Sequence, residues 1–319
     1  MKHLLFVTEK FCDGKPLLSF TNNFHNMFNS FSREEGDSWS FNTIHIDEAF
    51  EIYKADVNKV IVDYVDNNKT DLVVFCLLGG YAKNPSGETF SRLKSLGIKS
   101  CIIWPDTGPE WGMQTIEQIA DTVDLHVSWD NPRSPWHDSY TKRKNHIFLW
   151  TPEDESLFYP TIDKPVDVSF LGSIEKYRDR IPALIHLQET LPNTFISGGQ
   201  RSSKLSPSEY SKIIRNSKIG INFPLSQTGV FYQAKGRIFE YTSCGGLLMD
   251  FENPSTRDFF TPGVDYVEFS NAKELVDKIK YYLHNSSERI KIAERGLKTF
   301  AEKWTAKKYW KELLKNLNL

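Results

Sequence analysis

The chain has 319 residues, enough for about two domains of ordinary size. Its 39 Lys and Arg residues nearly balance 41 Asp and Glu residues, so overall charge gives no indication of nucleic-acid binding. Aromatic residues make up 13% of the sequence, which favours folded domains over disorder, and no apolar run approaches the ~20 residues needed to span a bilayer.

The cysteines and the N-terminus indicate a reducing, cytoplasmic setting. None of the 4 cysteines forms a Cys-x-x-Cys pair, which argues against a zinc site, and Cys76 and Cys101 lie in apolar runs typical of a protein core. The N-terminal apolar run is shorter than the core of a signal peptide. We therefore expect a cytoplasmic protein.

The first half of the chain alternates predicted strands and helices. The predicted strands are His3–Val7, Phe41–Ile46, Asp71–Leu78, Ser100–Trp104, Val123–Ser128 and His146–Trp150. The predicted helices are Pro16–Phe31, Val57–Val65, Thr89–Leu96 and Thr115–Thr122, with a polar loop at Arg33–Ser40. This alternation predicts a doubly wound parallel sheet.

A proline-rich stretch, Thr151–Pro165, lacks any helical or strand period and is the predicted domain linker. Strand–helix alternation then resumes, with predicted strands at Val166–Leu171, Thr194–Ser197, Lys218–Phe223 and Tyr266–Phe269. The predicted domains are residues 1–158 and 159–303, with a final helix at 304–319 that packs back on the first domain. Two Rossmann-like domains facing across a cleft would result.

The last helix, predicted at Thr305–Leu317, has one apolar side and one basic side. The basic side consists of Lys307, Lys308, Lys311 and Lys315. Such a side is typical of a solvated face. The alternative is peripheral contact with an anionic membrane or a lipid-linked acceptor.

The segment Lys235–Phe251, KGRIFEYTSCGGLLMDF, combines features of a ligand site. Arg237 and Glu240 are three residues apart and share one face of a predicted helix, which Gly245 is suited to end. Arg237 and Lys235 could bind a phosphate, and Glu240 could accept hydrogen bonds from sugar hydroxyls. The alternative is a surface ion pair between Arg237 and Glu240.

The second half contains four motifs, which are VSFLGSIEKYRDR, SKIGINFP, GRIFEYTSCGGLLMDF with the following FFTPGVDYVEFSNAKEL, and YYLHNSSERIKIAERGLKTF. In this order they resemble the GT-B glycosyltransferases, and more narrowly the group-1-like transferases related to the CgeB-like spore maturation proteins. The sequence departs from this family at two points. Lys303-Trp304-Thr305 replaces a His-Thr-Tyr-type signature, and Glu240 lacks the second glutamate that better-known relatives carry seven residues away, the next acids being Asp250 and Glu252.

The resemblance implies transfer of a sugar from a UDP- or GDP-linked donor, with no cofactor beyond that donor. The absence of an Asp-x-Asp motif predicts that fixed cations, led by Arg237, replace a metal at the leaving diphosphate. No residue is assigned as a metal ligand. The predicted donor-binding residues are Gly172, Ser173, Lys176, Arg178, Gly198, Asn222, Lys235 and Glu240.

The first domain is expected to bind the acceptor, which could be a glycan, a lipid-linked molecule or a protein. Gly79 and Gly80 follow one predicted strand, and Asp106 follows another. Asp106 is a candidate base for an inverting reaction, and the alternative is a turn residue between Pro105 and Gly108. A retaining reaction would need no enzyme base.

Two other function classes stay open at this point. The GT-B fold also suits an epimerase or a phosphorylase, and a degenerate site would leave a non-catalytic nucleotide- or sugar-binding module. An oxidoreductase, a P-loop kinase and a serine hydrolase are disfavoured, because their glycine-rich motifs are missing.

Overall fold

The computed structural model describes residues 1–11, 23–76, 84–105, 119, 121–129, 143–174, 180–197, 205–226, 229 and 231–319. Six of the predicted site residues lie outside these ranges: Gly79, Gly80, Asp106, Lys176, Arg178 and Gly198. Most of the predicted helix Thr115–Thr122 also lies outside them.

The chain divides into two compact units, residues 1–150 with 306–319, and residues 151–305. The sequence-based boundaries were 158/159 and 303/304. The last helix therefore belongs to the first unit, where it packs on the first helix.

Within the residues that the structure describes, the first unit has six strands and four α-helices. The strands are β1 (Lys2–Thr8), β2 (Trp39–His45), β3 (Leu72–Cys76), β4 (Lys99–Trp104), β5 (Leu125–Ser128) and β6 (His146–Phe148). The helices are α1 (Asn23–Glu35), α2 (Val57–Asn67), α3 (Gly87–Ser95) and the C-terminal α10 (Ala306–Asn316), with a short π-helix at Glu48–Ile52. The strands form one parallel sheet in the order β2-β1-β3-β4-β5-β6.

The second unit forms a five-stranded parallel sheet in the order β11-β10-β9-β7-β8. Its strands are β7 (Val166–Leu171), β8 (Phe195–Ser197), β9 (Ser217–Asn222), β10 (Leu247–Phe251) and β11 (Val267–Phe269). Its helices are α4 (Ile181–Thr190), α5 (Pro207–Arg215), α6 (Arg237–Ser243), α7 (Pro254–Arg257), α8 (Ala272–His284) and α9 (Ser286–Lys303). The prediction of two doubly wound parallel sheets is confirmed.

The central strands are apolar because both faces of each sheet are covered. All five residues of β3 are buried, as are four of the six residues of β7. Each unit contains a large apolar cluster that combines residues from several strands and helices. The apolar residues that recur at helix or strand spacing in the sequence therefore lie on the buried faces of these elements.

The predicted loop at Arg33–Ser40 is wrong at both ends. Helix α1 continues to Glu35, and β2 begins at Trp39. Trp39 is only 4% exposed and packs edge-on against Phe31, with ring centroids 6.1 Å apart. Burial of this indole outweighs the polar character of its neighbours and starts the strand early.

The basic side of α10 is exposed, as its sequence predicts. Lys307, Lys308, Lys311 and Lys315 are exposed, whereas Tyr309, Trp310, Leu313, Leu314 and Leu317 are buried. Within the described ranges, no helix has both the length and the apolar character that crossing a bilayer requires.

Candidate active site

Helix α6 is held close to the middle of the second sheet. A Cβ on Gly220 of β9 would lie 2.1 Å from the Tyr241 ring, so only glycine leaves room for this ring over the strand. The Tyr241 hydroxyl lies 2.9 Å from the Ser169 hydroxyl on β7. Gly245 ends the helix with φ +67°, as predicted from the sequence. These contacts fix where the first residue of α6, Arg237, lies.

Arg237 lies at the switch point of the second sheet, where the strand order reverses between β7 and β9. Its Nη1 donates to the Leu171 carbonyl at the end of β7, at 2.9 Å, and its Nε donates to Asn222 Oδ1 at the end of β9, at 3.0 Å. Ligands of open α/β sheets bind at this position. Among the described residues, Nη2 has no hydrogen-bond partner, so one edge of the guanidinium can bind a ligand.

Gly172 is needed for this placement of Arg237. A Cβ on Gly172 would lie 2.5 Å from Arg237 Nη1. The guanidinium carbon also lies 5.4 Å from the centroid of the Phe170 ring, close enough for a cation–π interaction. The structure therefore brings together Gly172, Asn222 and Arg237, three residues that the sequence assigned to the donor site.

Arg237 and Glu240 do not form the ion pair considered from the sequence. Asn222 links Arg237 to Asp250 instead, because its Nδ2 donates to Asp250 Oδ1 at 2.9 Å. Thr256 donates to Asp250 Oδ2 at 2.6 Å. Burial raises the pKa of Asp250 to about 7, although the hydrogen bonds from Thr256 and Asn222 oppose this shift. Asn222 and Asp250 are both fully buried, so their geometry serves to orient Arg237.

Glu240 is 5% exposed and lies beside a second glutamate that the sequence analysis missed. The Tyr210 hydroxyl donates to Glu240 Oε2 at 2.6 Å. Burial raises the pKa of Glu240 to about 7, opposed by the Tyr210 hydrogen bond and by the charge of Arg237. Glu240 Oε1 and Glu153 Oε1 are each 3.7 Å from the position that a Cβ on Gly236 would take. The two carboxyl groups thus border the same small space.

Glu153 comes from the stretch that the sequence indicated as a linker. Residues 152–154 are buried in the second unit, and Phe158 packs edge-on against Tyr210, with ring centroids 6.3 Å apart. The Leu157 carbonyl accepts a hydrogen bond from Arg215 of α5. No local pattern marks Glu153, because 86 residues separate it from Glu240 in the sequence. The apolar residues Leu157, Phe158 and Tyr159 were the available signal that this stretch is packed.

Arg180 is a buried cation that the sequence analysis quoted but did not assign. It is 1% exposed, and it donates to the Ser173 carbonyl at 2.8 Å and to the Phe223 carbonyl at 3.0 Å. Its guanidinium carbon lies 5.9 Å from the centroid of the Phe170 ring. The Phe170 ring thus lies between the guanidinium groups of Arg180 and Arg237. Of Ser173, a predicted donor-site residue, the backbone carbonyl contacts Arg180. Lys235 donates to the Gln233 side chain.

An apolar cavity of about 310 Å³ lies at the carboxyl ends of β9, β10 and β11. Its lining includes Pro182, Phe223, Leu225, Tyr232, Phe251 and Phe269. Phe223 connects the cavity to the arginines, because its ring packs against Phe170 with centroids 5.5 Å apart and its carbonyl accepts from Arg180. A planar aromatic group would fit such a lining, next to fixed positive charge.

The profile of the family described as glycosyl transferase-like matches residues 166–315 of this chain. This match covers the candidate site except for Glu153. No curated protein gives a significant match.

Solved structures share the fold over the whole chain at low identity. HepE from Anabaena, solved with UDP and glucose, has a TM-score of 0.66 and 8% identity, covering 100% of both chains. Sucrose-phosphate synthase from Thermosynechococcus elongatus has a TM-score of 0.65 and 10% identity, covering 99% of both. A protein from Listeria monocytogenes described as a UDP-N-acetylglucosamine 2-epimerase has a TM-score of 0.57 and 10% identity, covering 100% of this chain and 97% of its own.

These findings confirm the resemblance to the GT-B glycosyltransferases, whereas the narrower CgeB-like group stays a prediction. The chain has the GT-B fold, and residues 166–315 match the glycosyl transferase-like family. The enzyme class that the matches indicate is a GT-B glycosyltransferase.

Proposed function

We propose that this protein transfers a sugar from a nucleotide-sugar donor to an acceptor hydroxyl without a metal ion, using Arg237 to stabilise the leaving diphosphate. The observation that carries the proposal is the position of Arg237 at the switch point between β7 and β9. Two of its nitrogens are held by Asn222 and Leu171, while Nη2 has no partner among the described residues.

The reaction breaks the bond between the anomeric carbon of the sugar and the diphosphate oxygen. Negative charge develops on that oxygen, and a preorganised guanidinium stabilises it more than it stabilises the intact donor. The acceptor oxygen forms the new bond and loses its proton. Asp106 stays a candidate base for an inverting reaction, and Gly79 and Gly80 stay candidates for the acceptor side.

The rest of the donor fits the second unit as follows. The apolar cavity lined by Phe223, Tyr232 and Phe251 receives the base, and Glu240 receives ribose hydroxyls. Asn222 and Asp250 orient Arg237, whereas Gly172 leaves room for it. Lys235 supplies further positive charge, and Lys176, Arg178, Gly198 and Ser173 stay predicted donor residues. The acceptor is a glycan, a lipid-linked molecule or a protein, and the location is cytoplasmic.

UDP-glucose is the first donor to test, because HepE was solved with UDP, glucose and UDP-glucose. Thermal unfolding is measured with UDP, GDP, ADP, UDP-glucose and GDP-mannose, since a ligand of the native state raises the melting temperature. UDP release is then followed with and without EDTA. A donor that raises the melting temperature and is consumed in EDTA supports the proposal, and consumption only with added metal contradicts its metal-independent part.

The same experiment separates the alternatives. An epimerase returns the sugar still attached to UDP but with one inverted centre, which chromatography of the recovered nucleotide-sugar detects. A non-catalytic module binds UDP-glucose tightly and returns it unchanged. The epimerase alternative has one supporting observation, the shared fold of the Listeria protein.

A further inference from the structure

Glu153 is a buried ionisable group with an unpaired oxygen that the proposed function does not use. It is 5% exposed, and its Oε1 has no hydrogen-bond partner among the described residues. Burying an unpaired carboxylate costs far more than burying the neutral acid, so such a group keeps its proton. Burial and the nearby charges of Glu240 and Asp154 raise the pKa of Glu153 well above its ordinary value. Burial without a partner for Oε1 therefore favours the protonated form of Glu153, which can donate a hydrogen bond.

Glu240 offers the complementary group on the other side of the same space. Its Oε2 already accepts a hydrogen bond from Tyr210, whereas its Oε1 lies beside Gly236. Tyr210 and Arg237 are the groups that favour the ionised form of Glu240. The space next to Gly236 is thus bordered by one acid that donates and one carboxylate that accepts. A hydroxyl group, which can both accept and donate, matches this pair.

We propose that Glu153 is a second carboxyl group of the donor site and that it shares a hydroxyl of the nucleotide-sugar with Glu240. The hydroxyl donates to Glu240 Oε1 and accepts from the Glu153 acid. It belongs either to the ribose or to the transferred sugar. This inference rests on the proposed function, because it assumes a nucleotide-sugar at the site. It also supplies, from a distant stretch of the chain, a second glutamate beside Glu240.

Gly236 gives a direct test of the shared space. It has φ −49° and ψ −35°, which alanine adopts readily, and a Cβ there would meet its nearest neighbours at 3.7 Å, an ordinary contact. We expect G236A to keep the wild-type melting temperature but to bind UDP or UDP-glucose at least tenfold more weakly, because its methyl group occupies the position of the hydroxyl. Wild-type affinity in G236A would overturn the proposal.

Substitution of Glu153 tests the donated hydrogen bond. We expect E153A to weaken binding by about threefold to tenfold at pH 7, the range of one neutral hydrogen bond. E153Q retains an N–H donor and should bind as tightly as wild type. As the pH rises through the raised pKa of Glu153, wild type loses its donated bond and its affinity falls, whereas E153Q shows no alkaline fall. Equal affinities and pH profiles for all three proteins would contradict the proposal.

The ligand series identifies the hydroxyl. Isothermal titration uses UDP, 2′-deoxy-UDP, 3′-deoxy-UDP and UDP-glucose with wild type and E153A. If the E153A defect disappears with one deoxy nucleotide, the hydroxyl is that ribose hydroxyl. If the defect occurs with UDP-glucose but not with UDP, the hydroxyl belongs to the sugar. A defect of equal size with every ligand would reject the proposal in favour of a structural role. Failure of wild type to bind any nucleotide or nucleotide-sugar of the thermal-unfolding screen would instead contradict the proposed function.

Discussion

Asp47, at the carboxyl edge of the first sheet, and the buried carboxylates Asp250 and Glu240 of the second unit are used in opposite ways. In the first unit, Asp47 follows β2 and is fully buried, and it accepts backbone N–H bonds from Lys10, Phe11 and Glu48 at 2.9 to 3.2 Å. Glu48 in turn pairs with Lys10 at 2.9 Å and with His45 at 2.9 Å. Among the described residues of this edge, these charged groups bind the protein's own backbone and one another.

In the second unit, the buried carboxylates bind side chains that can contact a ligand. Asp250 acts on Arg237 through Asn222, while Glu240 keeps one oxygen beside the space at Gly236. Both units share the same parallel architecture, so the fold alone does not make a site. The difference lies in whether burial leaves a hydrogen-bonding group of the carboxylate or of its partner available to a ligand. The predictions that follow test that difference.

The largest effect is expected from Arg237. Removing one preorganised donor at a developing negative charge typically lowers turnover by about 100-fold to 1000-fold. We expect R237A to lose transfer from UDP-glucose to this extent, with R237K intermediate because lysine lacks the planar fork. Arg257 is a matched control, since it lies in the same unit in an exposed pair with Glu268. R257A should keep wild-type turnover.

Gly172 tests the same arginine without removing its charge. A methyl group 2.5 Å from Arg237 Nη1 must displace the guanidinium, so G172A should lower turnover by about tenfold or more. The control is G87A, where a Cβ would meet nothing within 4 Å. Wild-type turnover in both R237A and G172A would contradict the assignment of the leaving-group role.

A smaller effect is expected from the ionisation of Glu240. With a pKa of about 7, the ionised fraction rises about tenfold between pH 6 and pH 8, and the affinity for UDP-glucose should rise with it. E240Q should bind more weakly at pH 8 and lose this dependence. Asp250 also has a pKa of about 7, so D250N is the control that separates the two groups. Persistence of the full dependence in E240Q would assign it to another residue.

Burial of Glu240 also predicts that E240Q raises the stability of the protein, although it weakens ligand binding. The pKa of Glu240 is higher in the folded protein than in the unfolded chain, so neutral Glu240 contributes to the stability of the fold. This contribution is fully present below pH 4.5 and is lost as the pH rises through 7. E240Q, which cannot ionise, should therefore melt at a higher temperature than wild type at pH 8. Higher stability together with weaker binding would show that Glu240 is kept for its interaction with a ligand.

The sequence predicted the sheets and part of the site for reasons that the structure makes clear. Apolar runs such as Leu72–Cys76 identify strands that are covered on both faces. Gly172 and Asn222 were assigned to the same donor site as Arg237, and the neighbouring parallel strands that end at these residues bring their carboxyl ends together. Their contacts were not predicted, since the clash that excludes a side chain at position 172 depends on tertiary distances of a few tenths of an ångström.

Glu153 and Arg180 were missed for different physical reasons. Glu153 reaches Glu240 only through the packing of a proline-rich stretch on α5, and no periodic pattern encodes that contact. Arg180 looked like one of several basic residues at the start of a helix. Pro182, which belongs in the first turn of a helix, was the available signal that α4 begins next to Arg180.

The smallest effect on donor binding is expected from Asp47, although its effect on stability is large. D47A leaves the backbone N–H groups of Lys10, Phe11 and Glu48 without their acceptor and should lower the free energy of unfolding by about 1–3 kcal/mol or more. D47N keeps one acceptor oxygen and should lose less. In both variants the affinity for UDP should change by less than twofold, because these contacts all lie within the first unit. Thermal unfolding and titration with UDP measure the two quantities. Loss of UDP binding at unchanged stability would mean that the first edge also takes part in donor binding, and the contrast between the two sheets would then be wrong.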